Sequence, residues 1–259
     1  MNIDFSQFIG REQALQKIIR YHRYSPMYYR SNLWQHSHRL SWMIEEMTPI
    51  IQSVYPNFKK EEAQLIAHVH DDLEIVLGDI MLGEKLSYTD EQKKALNEKE
   101  CAAIDEVSDM FPSKVGEYVY KDFLLRYQNL IADDLEAVVV KYCDKYDAFG
   151  EALHEIFSGN EIFTRAYEVH LTSPIDAYLS ILQTFEQKYP LFEPLRKTDH
   201  PFFLPPLTVD VVPLAQNGKL HTLESIQIPS EYQPYEIWKI IVLTHGGEEG
   251  KQWLTTKVE

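Results

Sequence analysis

The sequence predicts an all-α protein, a helical core followed by a proline-rich and partly irregular C-terminal extension. Apolar residues recur at three- and four-residue spacing through most of residues 8–190, the spacing of helices that bury one side. Strand-like alternation is confined to two short pieces, LTVDVV and LESIQI, beyond residue 205. Pro190, Pro194, Pro201, Pro205, Pro206, Pro213 and Pro229 break up the stretch after the last core helix. The domain division expected is therefore 1–190 for the core and 191–259 for a linker or flap with a terminal helix.

In chain order, Phe8, Leu15, Ile18 and Ile19 predict a first helix from Phe8 to about Tyr24, ending in RYHRYSPMYYRSN, where Pro26 and the tyrosines mark a turn. Asn32 is a good N-cap for a second helix reaching Val54, two residues before Pro56. Leu33, His36, Leu40, Met43 or Ile44, and Met47 trace its inner stripe, while His38 lies between Trp34 and Trp42 at i, i+4, i+8. A third helix is expected over Lys60–Leu77, with Leu65, Val69, Leu73 and Val76 inward and Gly78 as its stop. GDIMLGEKLSY then reads as a loop, and Thr89 or Asp90 caps a long polar helix to Met110. Further helices are expected over Ser113–Asn129, over Ile131–Phe157 with Asp133 and Asp134 at its start, and from Pro174 to Tyr189. The tail from Pro234 begins as an amphipathic helix that docks on the body or on a second subunit.

The chemistry concentrates in LIAHVHDDLEIVLGD, residues 65–79. Two histidines and four acids stand there among core-spaced apolar residues, and isolated charges are not buried without a partner or a metal. His70 and Asp71 form a candidate ligand dyad with Glu74 one turn on and Asp79 just past the stop. His68 and Asp71, at i, i+3, would serve as well on spacing alone. His36 on its inner stripe and one of Asp144 and Asp147 are candidates for the rest, since the latter two fall where a core face is expected. Two imidazoles and two carboxylates suit a borderline divalent ion such as Zn, Mn, Co or Fe, with positions left for water and substrate. Arg23 and Arg30 stand out as cations in an acidic chain.

Composition narrows the function classes. The formal charge of -15 opposes attraction to polymeric nucleic acid or an anionic membrane, so a phosphate ligand should be small and held by a local cation. No apolar run is long enough to span a bilayer, and MNIDFSQFIGREQ lacks the apolar core of a signal peptide. Cys101 and Cys143 lie inside helical patterns rather than a disulfide framework, which suits the cytoplasm.

The order H…HD…D on helices resembles the HD-domain metal-dependent phosphohydrolases. QHS at 35–37, HVHDDLEIVLGD at 68–79 and VKYCDKYDA at 140–148 resemble the signature segments of the bacterial 5′-deoxynucleotidase branch, and RYSPMYYRSN from Arg23 resembles its arginine-led loop. The resemblance covers about residues 8–190. It implies His36, His70, Asp71 and Asp144 as ligands of one divalent transition metal, Glu74 and Asp79 as the acids around the attacking water and leaving group, and Arg23 as the phosphate contact. It also implies hydrolysis of 5′-(deoxy)nucleoside monophosphates and a homodimer. Alternatives are a (deoxy)nucleoside triphosphate triphosphohydrolase or other nucleotide phosphodiesterase, and a catalytically silent nucleotide-binding regulator. Two positions depart from the branch: Tyr24 where it has tryptophan and Gln35 where it has glutamate.

Overall fold

A computed structural model describes residues 3–164, 173–204 and 233–258, and the strand-like pieces LTVDVV and LESIQI lie outside them. Within the described residues the fold is all-α apart from one two-stranded hairpin. The chain divides into two compact units, residues 1–20 with 31–141 and residues 21–30 with 142–259.

In the first unit, α1 spans only Arg11–Lys17 and then Ile18 turns extended. The helix expected to run to Tyr24 stops here because Ile19 pairs antiparallel with Asn32, with Arg20 N–H donating to the Ser31 carbonyl at 3.0 Å. Residues 21–30 thus leave and return at one point, placing Arg20 beside the start of α2, Leu33–Val54. Asn32 caps α2 through a reciprocal box: its side chain accepts from Gln35 N–H, and the Gln35 side chain accepts from Asn32 N–H at 3.2 Å. Gln35 is therefore committed to the cap. Leu40, Met43, Ile44 and Ile51 of α2 are fully buried, as are Leu65, Ile66 and Val69 of α3, Lys60–Val69, on which α2 packs.

The helix expected over Lys60–Leu77 is broken. After Val69 the bonds tighten, Asp72 N–H to the Val69 carbonyl and Glu74 N–H to the Asp71 carbonyl, both 2.9 Å. A short α4, Glu74–Leu77, follows, and Gly78 ends it at φ 74°, a conformation that favours glycine. The break is held by a fully buried network. Arg11 grips Asp72 through Nε at 2.7 Å and Nη2 at 2.8 Å, and Tyr120 Oη donates to Asp72 at 2.6 Å. Burial pushes the Asp72 carboxyl up, and Arg11 opposes that shift.

The expected loop after Gly78 contains α5, Leu82–Ser87. α6, Asp90–Met110, begins at a second reciprocal box between Thr89 and Gln92. The helix expected from Ser113 starts later, because Lys114–Val115 (β1) and Tyr118–Val119 (β2) pair antiparallel about Gly116, φ 59°, before α7, Tyr120–Gln128. The start of α8, Leu135–Phe157, is fixed by Asp134, which accepts from Ala137 N–H at 3.1 Å and is gripped by Arg126 at 2.8 and 2.9 Å. Of the two aspartates expected at the helix start, Asp134 makes the cap bond, and Asp133 is exposed in the turn before it.

α8 passes into the second unit after Lys141. There Tyr142 and Tyr146 join Phe185, Phe192 and Phe202 in an aromatic core, with Tyr142 Oη donating to the Phe202 carbonyl at 2.9 Å. The helix expected over Pro174–Tyr189 is interrupted at Thr184, giving α9, Pro174–Gln183, and α10, Phe185–Lys188. The proline-rich stretch then forms a 3-10 turn, Pro190–Phe192, and α11, Glu193–Arg196. α12, Gln233–Thr255, kinks at Gly247 and docks on α8 through Trp238, whose Nε1–H donates to Asp147 at 2.7 Å. The fully buried Trp238 ring fills the space beside Gly150, where any Cβ would collide with it. The described helices leave none long and apolar enough to cross a membrane.

Candidate metal centre

The break after Val69 aims the side chains of residues 70 and 71. His70 caps α3 and is 2% exposed, and Asp71 begins the tight turn. The inner stripe of α2 presents His36, 1% exposed, with the two imidazole centroids 5.2 Å apart. Asp71 Oδ2 lies 3.2 Å from His70 Nε2 and 3.6 Å from His36 Nε2. Each of the three residues offers a ligand atom within 4.8 Å of the other two, and among the described residues they form the grouping that could hold an ion.

The hydrogen bonding of His70 fits this role. Its Nδ1 is 2.9 Å from the Ala67 carbonyl, which can only accept, so the ring proton sits on Nδ1 and the Nε2 lone pair is bare. Nε2 is buried without a hydrogen-bond partner. A buried lone pair pointing at a second imidazole and a carboxylate is the donor set a borderline divalent cation selects. Tyr127 closes against the other side of His70, edge-on at 4.8 Å, and its hydroxyl accepts from Lys141 at 3.0 Å. His68, the rival to His70 on spacing, faces elsewhere: its ring meets His38 at 5.0 Å and Phe5 at 5.8 Å.

Glu74 is buried, and its carboxyl is held well above the ordinary range, first by burial and then by the charges of Asp71 and Asp79. Its Oε2 has no hydrogen-bond partner. A carboxyl that holds its proton more firmly than usual is suited to giving it to a leaving group. Asp79 is half-buried just beyond Gly78, close enough to Glu74 to act on its charge. Lys85 on α5 is near as well; burial works against its ammonium charge, but Glu74 and Glu100 outweigh it.

Sequence reasoning missed Arg20. Its Nη1 is 2.9 Å from His36 Nδ1, and its charge is felt at Glu74. The first helix had been expected to continue through residue 20; the extended Ile18 and the pairing of Ile19 with Asn32 deliver Arg20 to His36 instead. The signal in the sequence was a lone arginine after two β-branched residues.

The remaining candidates belong to the second unit. Asp144 on α8 is buried, with Lys145 Nζ 2.8 Å from its carboxylate. Asp147, the alternative on the same face, is engaged by Trp238. Arg23 is exposed in the 21–30 segment, whose neighbour Tyr24 stacks on Phe163 at 5.2 Å. That segment is pinned by Glu155, which accepts from Tyr28 N–H at 3.0 Å, from Tyr29 N–H and from Asn160.

Residues 7–189 match the family model described as 5′-deoxynucleotidase YfbR-like. No curated protein matches the chain.

Proposed function

The chain belongs to the YfbR-like 5′-deoxynucleotidase family, HD-type metal-dependent phosphohydrolases of nucleoside monophosphates, and from that premise we propose how its residues divide the reaction. His36, His70 and Asp71 would hold one divalent ion, with Asp144 proposed as the fourth ligand. The bare, buried Nε2 of His70 beside Asp71 and His36 is the observation that carries this reading. The ion is Mn, Co, Zn or Fe, the metals that mixed imidazole and carboxylate sites take.

Phosphate-ester hydrolysis is slow because an anion repels its nucleophile and the departing alkoxide is poor. When bound, a divalent ion lowers the pKa of its water and offsets phosphoryl charge. The protein's own groups supply the rest. Glu74, whose burial beside Asp71 and Asp79 favours the protonated form, gives its proton to the departing 5′-oxygen, and Asp79 orients the attacking water. Arg20, already at His36, and Arg23, on the adjoining segment, bind the phosphate. The inward Asp71 and the gripped Asp72 keep the metal face fixed while substrate exchanges.

The enzyme is proposed to be cytoplasmic and homodimeric, the latter to be checked by light scattering. Residues 191–259 are proposed as an extension to the hydrolase core, consistent with a family match ending at residue 189. The deciding experiment loads the full chain separately with Mn, Co, Zn and Fe(II) and offers nucleoside mono-, di- and triphosphates. Inorganic phosphate from 5′-deoxynucleoside monophosphates is the expected product. Release of tripolyphosphate or pyrophosphate from triphosphates alone would overturn the reading.

A further inference from the structure

The side of α2 that carries Trp34, His38 and Trp42 is built for something other than the metal. Positions 38 and 68 are each two residues from a candidate ligand, so they face other sides of their helices than His36 and His70 do. Their rings meet in a continuous wall: Trp34 to His38 at 4.1 Å, His38 to Trp42 at 6.3 Å, His38 to His68 at 5.0 Å and His68 to Phe5 at 5.8 Å. The wall bounds a cavity of about 540 Å³ that lies wholly within the first unit. That volume falls within the roughly 300–1,000 Å³ of small-molecule sites.

Arg11 also lines this cavity. Its Nε and Nη2 are taken by Asp72 and the His68 carbonyl, whereas Nη1 is buried without a hydrogen-bond partner. Buried donors are ordinarily satisfied, so this one marks a place for an acceptor. The guanidinium carbon lies 4.3 Å from the centroid of the Phe5 ring, so an aromatic face already packs on this group at the cavity. Asp72 already neutralises the Arg11 charge and Glu12 stands at the same cavity, so a neutral acceptor is favoured over a phosphate.

We propose that this cavity is a second ligand site, distinct from the metal centre, that binds a nucleoside by its base. A flat heteroaromatic ring stacks on the tryptophan wall, and an exocyclic carbonyl accepts from Arg11 Nη1. The choice of a nucleoside among heteroaromatic ligands rests on the proposed reaction, which releases one.

Calorimetric titration of thymidine into metal-free His70→Ala protein tests the site apart from catalysis. One equivalent should bind, and adding Trp42→Ala should weaken binding at least tenfold, while Trp42→Ala alone keeps hydrolysis within twofold of wild type. Absence of binding at millimolar thymidine, or binding indifferent to Trp42→Ala, overturns the proposal. Soaking wild-type crystals with 5-iodo-2′-deoxyuridine gives a readout that needs no variant. An anomalous iodine peak among Trp34, Trp42 and Arg11 is expected; a peak only beside His36 and His70, or none, overturns it. The catalytic reading fails by a separate result, namely unchanged monophosphate hydrolysis by His70→Ala.

Discussion

Arg20 Nη1 stands 2.9 Å from His36 Nδ1, and a guanidinium can only donate. The neutral His36 ring therefore carries its proton on Nε2, towards Asp71, while His70 presents a bare Nε2 to the same carboxylate. For His36 to lend Nε2 to a cation, Arg20 has to leave Nδ1. Cation loading and the turning of Arg20 to the substrate phosphate are thereby linked. Arg20→Ala should keep or tighten Mn binding yet lower kcat/KM by about 10²-fold, mostly through KM, the scale of losing a charged hydrogen bond of about 1.5–3 kcal/mol. Weakened Mn binding would contradict the linkage. Arg23→Ala should raise KM by less, because Arg23 is exposed.

Removing the bare nitrogen tests the metal set. His70→Ala and Asp71→Asn should lower bound metal from about one equivalent to a small fraction, as elemental analysis after dialysis would report, since a ligand lost from such a site costs the affinity that depends on it. Helix content by circular dichroism should be kept, because neither residue holds the Arg11–Asp72–Tyr120 network.

Glu74→Gln retains the volume of the side chain and cannot release its proton. Turnover should fall by about 10²–10⁴-fold, the usual contribution of proton transfer, with bound metal and KM near wild type. A kcat unchanged in this variant would assign the proton to another group.

The Arg126 cluster sets an acid limit. Burial opposes ionisation of Asp134, but Arg126 and the Ala137 N–H outweigh it and hold the carboxyl below its ordinary value of 3.8. Burial likewise opposes ionisation of Glu62, and Lys59 and Arg126 prevail over it. Folded-state values lowered in this way add stability that is fully present above the unfolded-state values and is lost as pH falls through the folded ones. Arg126→Ala should therefore destabilise by about 1–2 kcal/mol at pH 7, a partly exposed network's share, and by much less near pH 3 in urea melts.

Gly150→Ala places a methyl group against the Trp238 ring that locks α12 onto α8. Overpacking of this kind costs about 1–3 kcal/mol, so the thermal midpoint should drop by several degrees, and Trp238→Phe in the same chain should restore part of it.

What the sequence revealed follows from how local each signal is. The long helices α2 and α6 were legible because Asn32 and Thr89, each at the head of a four-residue cap, write their starts into the local sequence. His36 was legible because an apolar stripe predicts its direction. The break at residues 70–73 was not, since it depends on Arg11, sixty-one residues from Asp72, reaching a buried carboxylate. Arg20 was hidden for a similar reason, as the pairing of Ile19 with Asn32 that places it is invisible to periodicity. The hairpin at Lys114–Val119 was masked by apolar residues whose spacing also fits a helix.

Asp71 and Asp72 are chemically identical neighbours with opposite duties, one turned towards the imidazoles and the other clamped by Arg11 and Tyr120. A single-residue insertion or deletion between positions 69 and 72 would exchange them, sending the clamped carboxylate to the cation and leaving a lone charge in the apolar interior. The length of the turn is thus as constrained as the residues it carries.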